Sequence, residues 1–138
     1  MVGEIAKKNF ERELKNLKKL HHVNIITFFG ACFEAGNEAI VTEFMTRGDL
    51  NHLLHEKKIK FKPFEILSTA IQIANGMSYL HRLGIVHRNI KPASIFLSAE
   101  GVVKVAGFNF SKTQEDASIM STAITIQSVC YLAPEGNF

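Results

Sequence analysis

An unbroken helical pattern between Pro63 and Gly84 constrains the fold of this chain more than any other feature of its sequence. Apolar residues recur there at intervals of three and four, which places them on one side of a helix. Pro63 suits the first turn of a helix, and Gly84 suits the residue that ends it. The pattern therefore predicts one long amphipathic helix with the apolar residues Ile66, Leu67, Ala70, Ile71, Ala74, Met77 and Leu80.

Helical and β-rich segments precede this helix. Apolar residues at helical spacing predict a first helix over residues 8–21. Two apolar, β-rich runs, residues 25–33 and 38–44, flank a turn sequence and predict an antiparallel pair of strands. A shorter helix is expected to start at Gly48-Asp49, because Asp49 can cap its first N–H groups.

The sequence after the long helix predicts a hairpin and then a loop. Residues 94–97 and 102–105 are β-rich and flank a turn sequence that contains Gly101. Residues 111–128 are rich in Ser, Thr and Gln without a clear period, and loops of that length are usually functional or disordered. The 138 residues are enough for one domain, or part of one.

Composition and charge argue against several classes of protein. Hydrophobic residues make up 46% of the chain and charged residues 21%, which is ordinary for a globular domain. The formal charge of +3 comes from scattered basic residues, so nucleic acid binding has little support. The sequence has no signal-peptide core and no apolar run approaching about 18 residues, so we predict no membrane span and a cytoplasmic protein. Cys32 and Cys130 match no zinc or disulfide spacing and are predicted to be buried thiols.

Four motifs follow one another in an order that is highly specific. Residues 85–94 read Ile-Val-His-Arg-Asn-Ile-Lys-Pro-Ala-Ser and lie between the long helix and the predicted hairpin. Residues 41–45 (Val-Thr-Glu-Phe-Met) precede them, and residues 106–109 (Ala-Gly-Phe-Asn) and 133–135 (Ala-Pro-Glu) follow. This order resembles the eukaryotic protein kinase domain, with its hinge, its H-R-D catalytic loop, its D-F-G motif and its A-P-E motif.

The resemblance implies a partial protein-kinase-like fold of the α+β class over residues 1–138. Residues 1–44 would be a remnant of the N-lobe, with the regulatory helix and small-lobe strands. After the hinge, residues 45–138 would form the first part of the C-lobe, a helical core with a small β-hairpin, up to the A-P-E motif. The Gly-rich loop, the strand with the ATP-contacting lysine and the later C-lobe helices have no counterpart here, so both ends of the domain are expected to be missing. Lys91-Pro92 favours the Ser/Thr or tyrosine-kinase-like groups.

Three polar positions that manage metal and proton in the family are changed in this sequence. Asn89 stands where the family has the catalytic aspartate, and a neutral amide cannot accept a proton as a base. Ser94 and Gly107 occupy the metal-ligand positions, which in the family hold an asparagine and an aspartate. We therefore expect no metal site and no cofactor; ATP and Mg²⁺ would be required only if the chain is an enzyme.

The resemblance also assigns residues around the phosphates and the adenine. Arg88 and Lys91 lie in the catalytic loop, where Arg88 could hold a phosphate on the activation segment or make a plain structural ion pair. Glu13 matches the glutamate that pairs with the ATP lysine, although an exposed helix glutamate is an equally good interpretation. A vestigial adenine pocket is assigned to Thr42, Glu43, Phe44, Met45 and Phe96. His87 and Phe108 are expected to pack in the core, Phe108 with Leu17.

Three functional hypotheses remain open. The first is a pseudokinase that acts in signalling by binding a protein partner, such as an active kinase. The second is an active or formerly active ATP-dependent Ser/Thr protein kinase seen as a truncated chain, and the third is a degenerate gene fragment. The resemblance also predicts self-association, because in the family the long helix packs on later helices that would cover Leu67, Ile71, Ala74, Met77 and Leu80.

Overall fold

The computed structural model describes residues 11, 14–15, 17–34, 39–108 and 131, and the backbone alone of residues 112–113. It has an α+β architecture in which one long helix lies against small antiparallel sheets. At the start of this part of the chain, Glu11, Leu14, Lys15 and Leu17 have helical backbone, as the first predicted helix requires.

The first sheet confirms the predicted antiparallel pair. Strand β1 (Phe28–Cys32) pairs with β2 (Ala39–Thr42) in antiparallel register, with an irregularity between Phe28 and Gly30. The turn predicted between these strands lies largely outside the described residues. The thiol of Cys32 is exposed, so its predicted burial is wrong: the residue lies at the end of an edge strand rather than in the core.

The second sheet consists of β3 (Gly48–Asp49), β5 (Ile95–Leu97) and β6 (Val103–Val105), and β5 lies between the other two strands. The hairpin of β5 and β6 confirms the predicted one. Ser94 belongs to a 3₁₀ turn, Pro92–Ser94, instead of to the strand.

The segment that begins at Gly48 corrects a prediction. We expected Gly48-Asp49 to start a helix, but the pair forms a strand because it aligns with Leu97 and Phe96 of β5. The helical residues come next, as a π-helical turn over His52–Glu56. Asp49 still has its predicted capping role, since its Oδ1 accepts a hydrogen bond of 2.9 Å from the backbone N–H of His52.

The long helix is present as predicted, as α1 (Pro63–Arg82). Its start is capped by Glu65, whose Oε2 accepts a 2.7 Å hydrogen bond from the backbone N–H of Lys62. Gly84 follows its end with a φ of 67°, in the left-handed region that ends many helices. No helix in the described ranges is long and apolar enough to cross a membrane.

A third pair of strands lies partly inside the predicted loop. Strand β4 (Ile85–Val86) pairs antiparallel with β7 (Lys112–Thr113). The expectation that residues 111–128 form a loop throughout is therefore wrong for these two residues. The rest of that segment lies outside the described residues.

The core lies between α1, the hairpin and the N-terminal helical segment. Leu80 of α1 is fully buried, which corrects its predicted exposure: it points to the hairpin side of the helix. Phe108 is also fully buried and belongs to the same apolar cluster as Leu17, as predicted. Other members of this cluster are Leu20, Ile25, Ile26, Met45, Leu53, Ile85, Ile95, Leu97, Val103 and Val105.

The opposite side of α1 carries apolar residues in contact with solvent. The side chains of Phe64, Leu67 and Ile71 are 67%, 62% and 52% exposed. Because a contiguous apolar surface tends to bind another surface, we expect the 138-residue chain to self-associate in a concentration-dependent way. The Leu67→Lys/Ile71→Lys double variant should elute as a monomer in size-exclusion chromatography with light scattering. A monomeric wild-type chain at the same concentrations would contradict this prediction.

Candidate functional site

The loop between β4 and the 3₁₀ turn is organised around a buried histidine. His87 is 1% exposed, and its Nε2 lies 2.8 Å from the carbonyl oxygen of Ala106. Its Nδ1 accepts a 3.2 Å hydrogen bond from the backbone N–H of Asn89, so the neutral ring carries its proton on Nε2. The ring also meets the edge of Phe108 at a centroid distance of 4.9 Å. His87 therefore joins the loop after β4 to the segment that holds Gly107, and its burial agrees with the packing role predicted from the resemblance.

Burial lowers the pKa of His87 to about 4, although the hydrogen bond to the Ala106 carbonyl opposes the shift. Protonation of His87 therefore favours the unfolded chain. Above pH 6.5, the ordinary pKa of histidine, His87 should not affect the free energy of unfolding, and that free energy should fall as the pH drops from 6.5 towards 4. We expect a loss of about 2 kcal/mol of unfolding free energy between pH 7 and pH 5 from this residue. Urea denaturation at the two pH values measures it, with His55→Gln as an exposed control. The same pH dependence in a folded His87→Gln variant would contradict the assignment.

The hydroxyl of Ser94 is fully occupied by the loop. Ser94 is 2% exposed, and its Oγ lies 2.9 Å from the carbonyl oxygen of Asn89 and 2.8 Å from that of Lys91. The same Oγ accepts a 3.0 Å hydrogen bond from the backbone N–H of Lys91. Since a serine hydroxyl has one proton to donate, its two acceptors share that proton. Ser94 thus stabilises the loop conformation from within.

Gly107 lies beside these two residues in a crowded position. Its φ is 78°, in the left-handed region, and a Cβ built on it would lie 3.1 Å from the Cβ of Ser94 and 3.4 Å from the Nδ2 of Asn89. The Nδ2 of Asn89 donates a long hydrogen bond of 3.4 Å to the carbonyl oxygen of Gly107. The structure therefore brings together the three positions that the sequence singled out.

The side chains at this site do not fit a Mg²⁺ ion. Mg²⁺ prefers carboxylate and water oxygens in octahedral geometry. Here Gly107 supplies no side chain, Asn89 turns its NH₂ group towards a carbonyl, and the hydroxyl of Ser94 is engaged by the backbone. Within the described ranges, no three His, Cys, Asp or Glu side chains form a group that could hold a metal ion.

The remaining catalytic-loop residues differ in their surroundings. Arg88 is exposed and has a φ of 63°, while Lys91 is half-buried before the 3₁₀ turn. A φ in the left-handed region is uncommon for a residue other than glycine. Glu13 lies outside the described residues. The roles assigned to all three from the resemblance stay predictions.

Glu43 fixes the segment of residues 42–45, which the resemblance assigns to a hinge. The carboxylate of Glu43 forms an ion pair of 2.7 Å with the Nζ of Lys104 and accepts a 2.6 Å hydrogen bond from the backbone N–H of Thr27. Burial raises the pKa of Glu43, but the hydrogen bonds from Lys104 and Thr27 outweigh burial and hold that pKa below its usual range. Thr42 donates a 3.3 Å hydrogen bond from its Oγ1 to the carbonyl oxygen of Glu43. Lys104 lies in β6, so this ion pair ties the hinge to the hairpin.

The other residues assigned to an adenine pocket lie along the same stretch. Phe44 is 86% exposed, whereas Met45 is buried and its carbonyl oxygen accepts a 2.9 Å hydrogen bond from the backbone N–H of Gly48. Phe96 is half-buried in β5, opposite Lys104 in the register of the hairpin. Thr42 ends β2 of the first sheet, whereas Phe96 lies in β5 of the second, so the shared adenine pocket assigned to these residues stays a prediction.

Two polar residues that sequence analysis overlooked connect α1 to the hairpin. Asn24 is 3% exposed, and its Nδ2 donates to the carbonyl oxygen of Val103 at 2.9 Å and to the Oε1 of Gln72 at 3.1 Å. Gln72 Oε1 also accepts a 2.9 Å hydrogen bond from the backbone N–H of Val103. The available signal was weak: Gln72 is one polar residue among the apolar residues of the helix, and Asn24 immediately precedes an apolar run.

Comparison with known proteins identifies the family. The family model for protein tyrosine and serine/threonine kinases matches residues 2–137. The chain is 39% identical over 128 residues to the serine/threonine-protein kinase STY17 of Arabidopsis thaliana. This match covers 93% of the chain and 22% of the Arabidopsis protein. It is 37% identical over 134 residues to a probable serine/threonine-protein kinase of Dictyostelium discoideum, covering 97% of this chain and 14% of that protein.

The fold and these matches define the class of protein. The chain belongs to the protein tyrosine and serine/threonine kinase family and has relatives among serine/threonine kinases. It spans about a fifth or less of the length of these two curated relatives. The observed α+β elements agree with part of a kinase domain.

Proposed function

We propose that this kinase-family domain is a pseudokinase, which acts in signalling by binding a protein partner and does not transfer phosphate. The observation that supports the proposal is that Asn89, Ser94 and Gly107 lie within contact distance of one another. The motif resemblance assigns these three residues to the positions of the family's proton acceptor and metal ligands. None of the three is a carboxylate. The transfer of a phosphoryl group depends on such groups to position Mg²⁺ and the acceptor hydroxyl.

The roles proposed for the surrounding residues follow from this function. The hinge residues Thr42 to Met45, with Phe96, would form a vestigial adenine slot, because backbone groups and apolar contacts suffice for a purine. Glu43 and Lys104 would keep that slot in shape through their ion pair. Arg88 is proposed to contact a phosphate on the activation segment, since a guanidinium can make paired hydrogen bonds with it. We also propose a cytoplasmic location, because the exposed free thiol of Cys32 suits a reducing compartment.

Isothermal titration of ATP with Mg²⁺ and with EDTA tests the proposal. If the metal positions are lost, any ATP affinity of the purified chain should change by less than about twofold when Mg²⁺ is removed. Adenosine serves as a control that has no phosphate to bind metal. An ATP affinity that rises about tenfold with Mg²⁺, while the affinity for adenosine stays constant, would favour an active kinase.

A further inference from the structure

A groove between α1 and the segment that precedes it is lined almost entirely by apolar atoms. It has a volume of about 410 Å³. One wall comes from the segment before α1, with Leu50, Leu54 and Phe61, and the other comes from α1 itself, with Ile66, Ala70 and Ile73. Leu54 and Ile66 are 39% and 57% exposed, so the groove opens to solvent.

The spacing of the helix wall favours a particular kind of occupant. Ile66, Ala70 and Ile73 follow one another at intervals of four and three residues, which places them on one stripe about 10 Å long. A stripe of this length matches a second helix that carries apolar residues at the same intervals. Amphipathic helices bind to apolar grooves in this way. The exposed Ile71 lies on a different side of α1, roughly 140° around the helix from Ile66.

A basic loop joins the two walls of the groove. Residues 57–62 connect the π-helical turn to α1 and contain Lys57, Lys58, Lys60 and Lys62, all exposed. The acidic residues nearest in sequence are already engaged, because Glu56 pairs with His52 at 2.8 Å and Glu65 caps the start of α1. Among the described residues, the ion pairs join His52 to Glu56 and Lys104 to Glu43. Neither pair involves one of these lysines, so no carboxylate in this part of the chain neutralises their charges.

We propose that this basic-edged groove binds an amphipathic helical segment of a partner protein, one with an apolar stripe flanked by Glu and Asp. The proposal rests on the proposed function, because it names the kind of partner that the domain would bind. Charge complementarity selects this occupant: acidic side chains beside the stripe meet the lysines, whereas a second copy of this chain, with a formal charge of +3, brings no excess of acidic charge to this groove.

Fluorescence anisotropy with two labelled peptides tests the charge requirement on the unaltered chain. Both probes have about 16 residues and the same leucine stripe; one carries Glu at the flanking positions and the other carries Lys. We expect the acidic peptide to bind at least about tenfold more tightly than the basic one, and its affinity to fall as salt is raised from about 50 to about 300 mM. Equal affinity of the two peptides, or no binding of the acidic one, would overturn the proposal.

Paired variants test the location. Ile66→Ser should weaken the acidic peptide by about tenfold, whereas Ile71→Ser, an equally exposed isoleucine of the same helix outside the groove, should change its affinity by less than about twofold. Lys57→Glu/Lys60→Glu should likewise weaken binding, with Lys18→Glu/Lys19→Glu as a control of the same charge change. Equal effects of the two isoleucine variants, or of the two charge variants, would place the binding site elsewhere.

Two further measurements address the other occupants. If light scattering finds a dimer that Ile66→Ser abolishes and Ile71→Ser does not, a second copy fills the groove and the proposal is wrong. Co-sedimentation with anionic phosphatidylserine vesicles that depends on Ile66 would overturn it in favour of a membrane surface. The peptide, light-scattering and vesicle measurements use no nucleotide. A negative result for the groove is therefore distinguishable from failure of the pseudokinase proposal, which is tested by the dependence of ATP binding on Mg²⁺.

Discussion

A Gly76→Ala variant is expected to lose about 3 kcal/mol of unfolding free energy, although alanine is the better helix former. Gly76 is buried where α1 lies against the backbone of Asn24. A Cβ at this position would lie 2.7 Å from the carbonyl oxygen of Asn24 and 3.3 Å from Cγ2 of Val105. The nearer atom belongs to the backbone of Asn24, so the helix must move away from that residue to make room.

A thermal melt measures this loss, which should appear as a drop in Tm of about 10 °C. Asn75→Ala is the matched control, because Asn75 is its exposed neighbour in the same helix and gains only helix propensity. We expect that control to be as stable as the natural chain or slightly more stable. A Gly76→Ala protein with an unchanged Tm would mean that α1 does not approach Asn24 so closely.

An Asn24→Asp variant should lose about 3 to 5 kcal/mol at neutral pH, the largest effect that we expect from one substitution. The change keeps the shape of the side chain but replaces its NH₂ group with a carboxylate oxygen. That oxygen would face two acceptors, the carbonyl oxygen of Val103 and the Oε1 of Gln72, which now lie 2.9 and 3.1 Å from the Nδ2. A buried charge without a donor is strongly destabilising.

The pH dependence separates this electrostatic cause from a packing defect. A protonated aspartic acid regains one donor, so the difference in stability from the natural chain should shrink as the pH falls from 7.5 to about 4.5. The comparison with the natural chain at each pH removes the contribution of His87. Asn75→Asp, on the exposed side of α1, should show a difference of less than about 0.5 kcal/mol throughout. A penalty for Asn24→Asp that is independent of pH would contradict the hydrogen-bond account.

The sequence was sufficient to predict elements whose signal is local. The apolar period and the Pro63 and Gly84 boundaries predict α1, and the β5–β6 hairpin follows from two β-rich runs around a turn. Gly48-Asp49 was misassigned because its strand character comes from pairing with β5, nearly fifty residues later in the chain. Tertiary pairing of this kind has no local signature.

The candidate site was likewise predicted in part from the sequence. Motif order predicts that Asn89, Ser94 and Gly107 belong to one site, and the structure places them together. What the sequence cannot give is the use of each side chain: the hydroxyl of Ser94 is engaged by the carbonyls of its own loop, and Glu43 is paired with Lys104 across two elements. Such contacts depend on how separate segments pack.

The most direct test of the pseudokinase proposal is transfer of radiolabelled phosphate from ATP to a generic protein acceptor. It should be measured with the 138-residue chain and with any longer product of its gene. We expect no Mg²⁺-dependent transfer above background, and none from Asn89→Asp/Gly107→Asp either, because the crowding at Gly107 and the engaged hydroxyl of Ser94 remain. Transfer by the natural sequence that requires Mg²⁺ and disappears in Asn89→Ala would contradict the proposal and identify an active kinase.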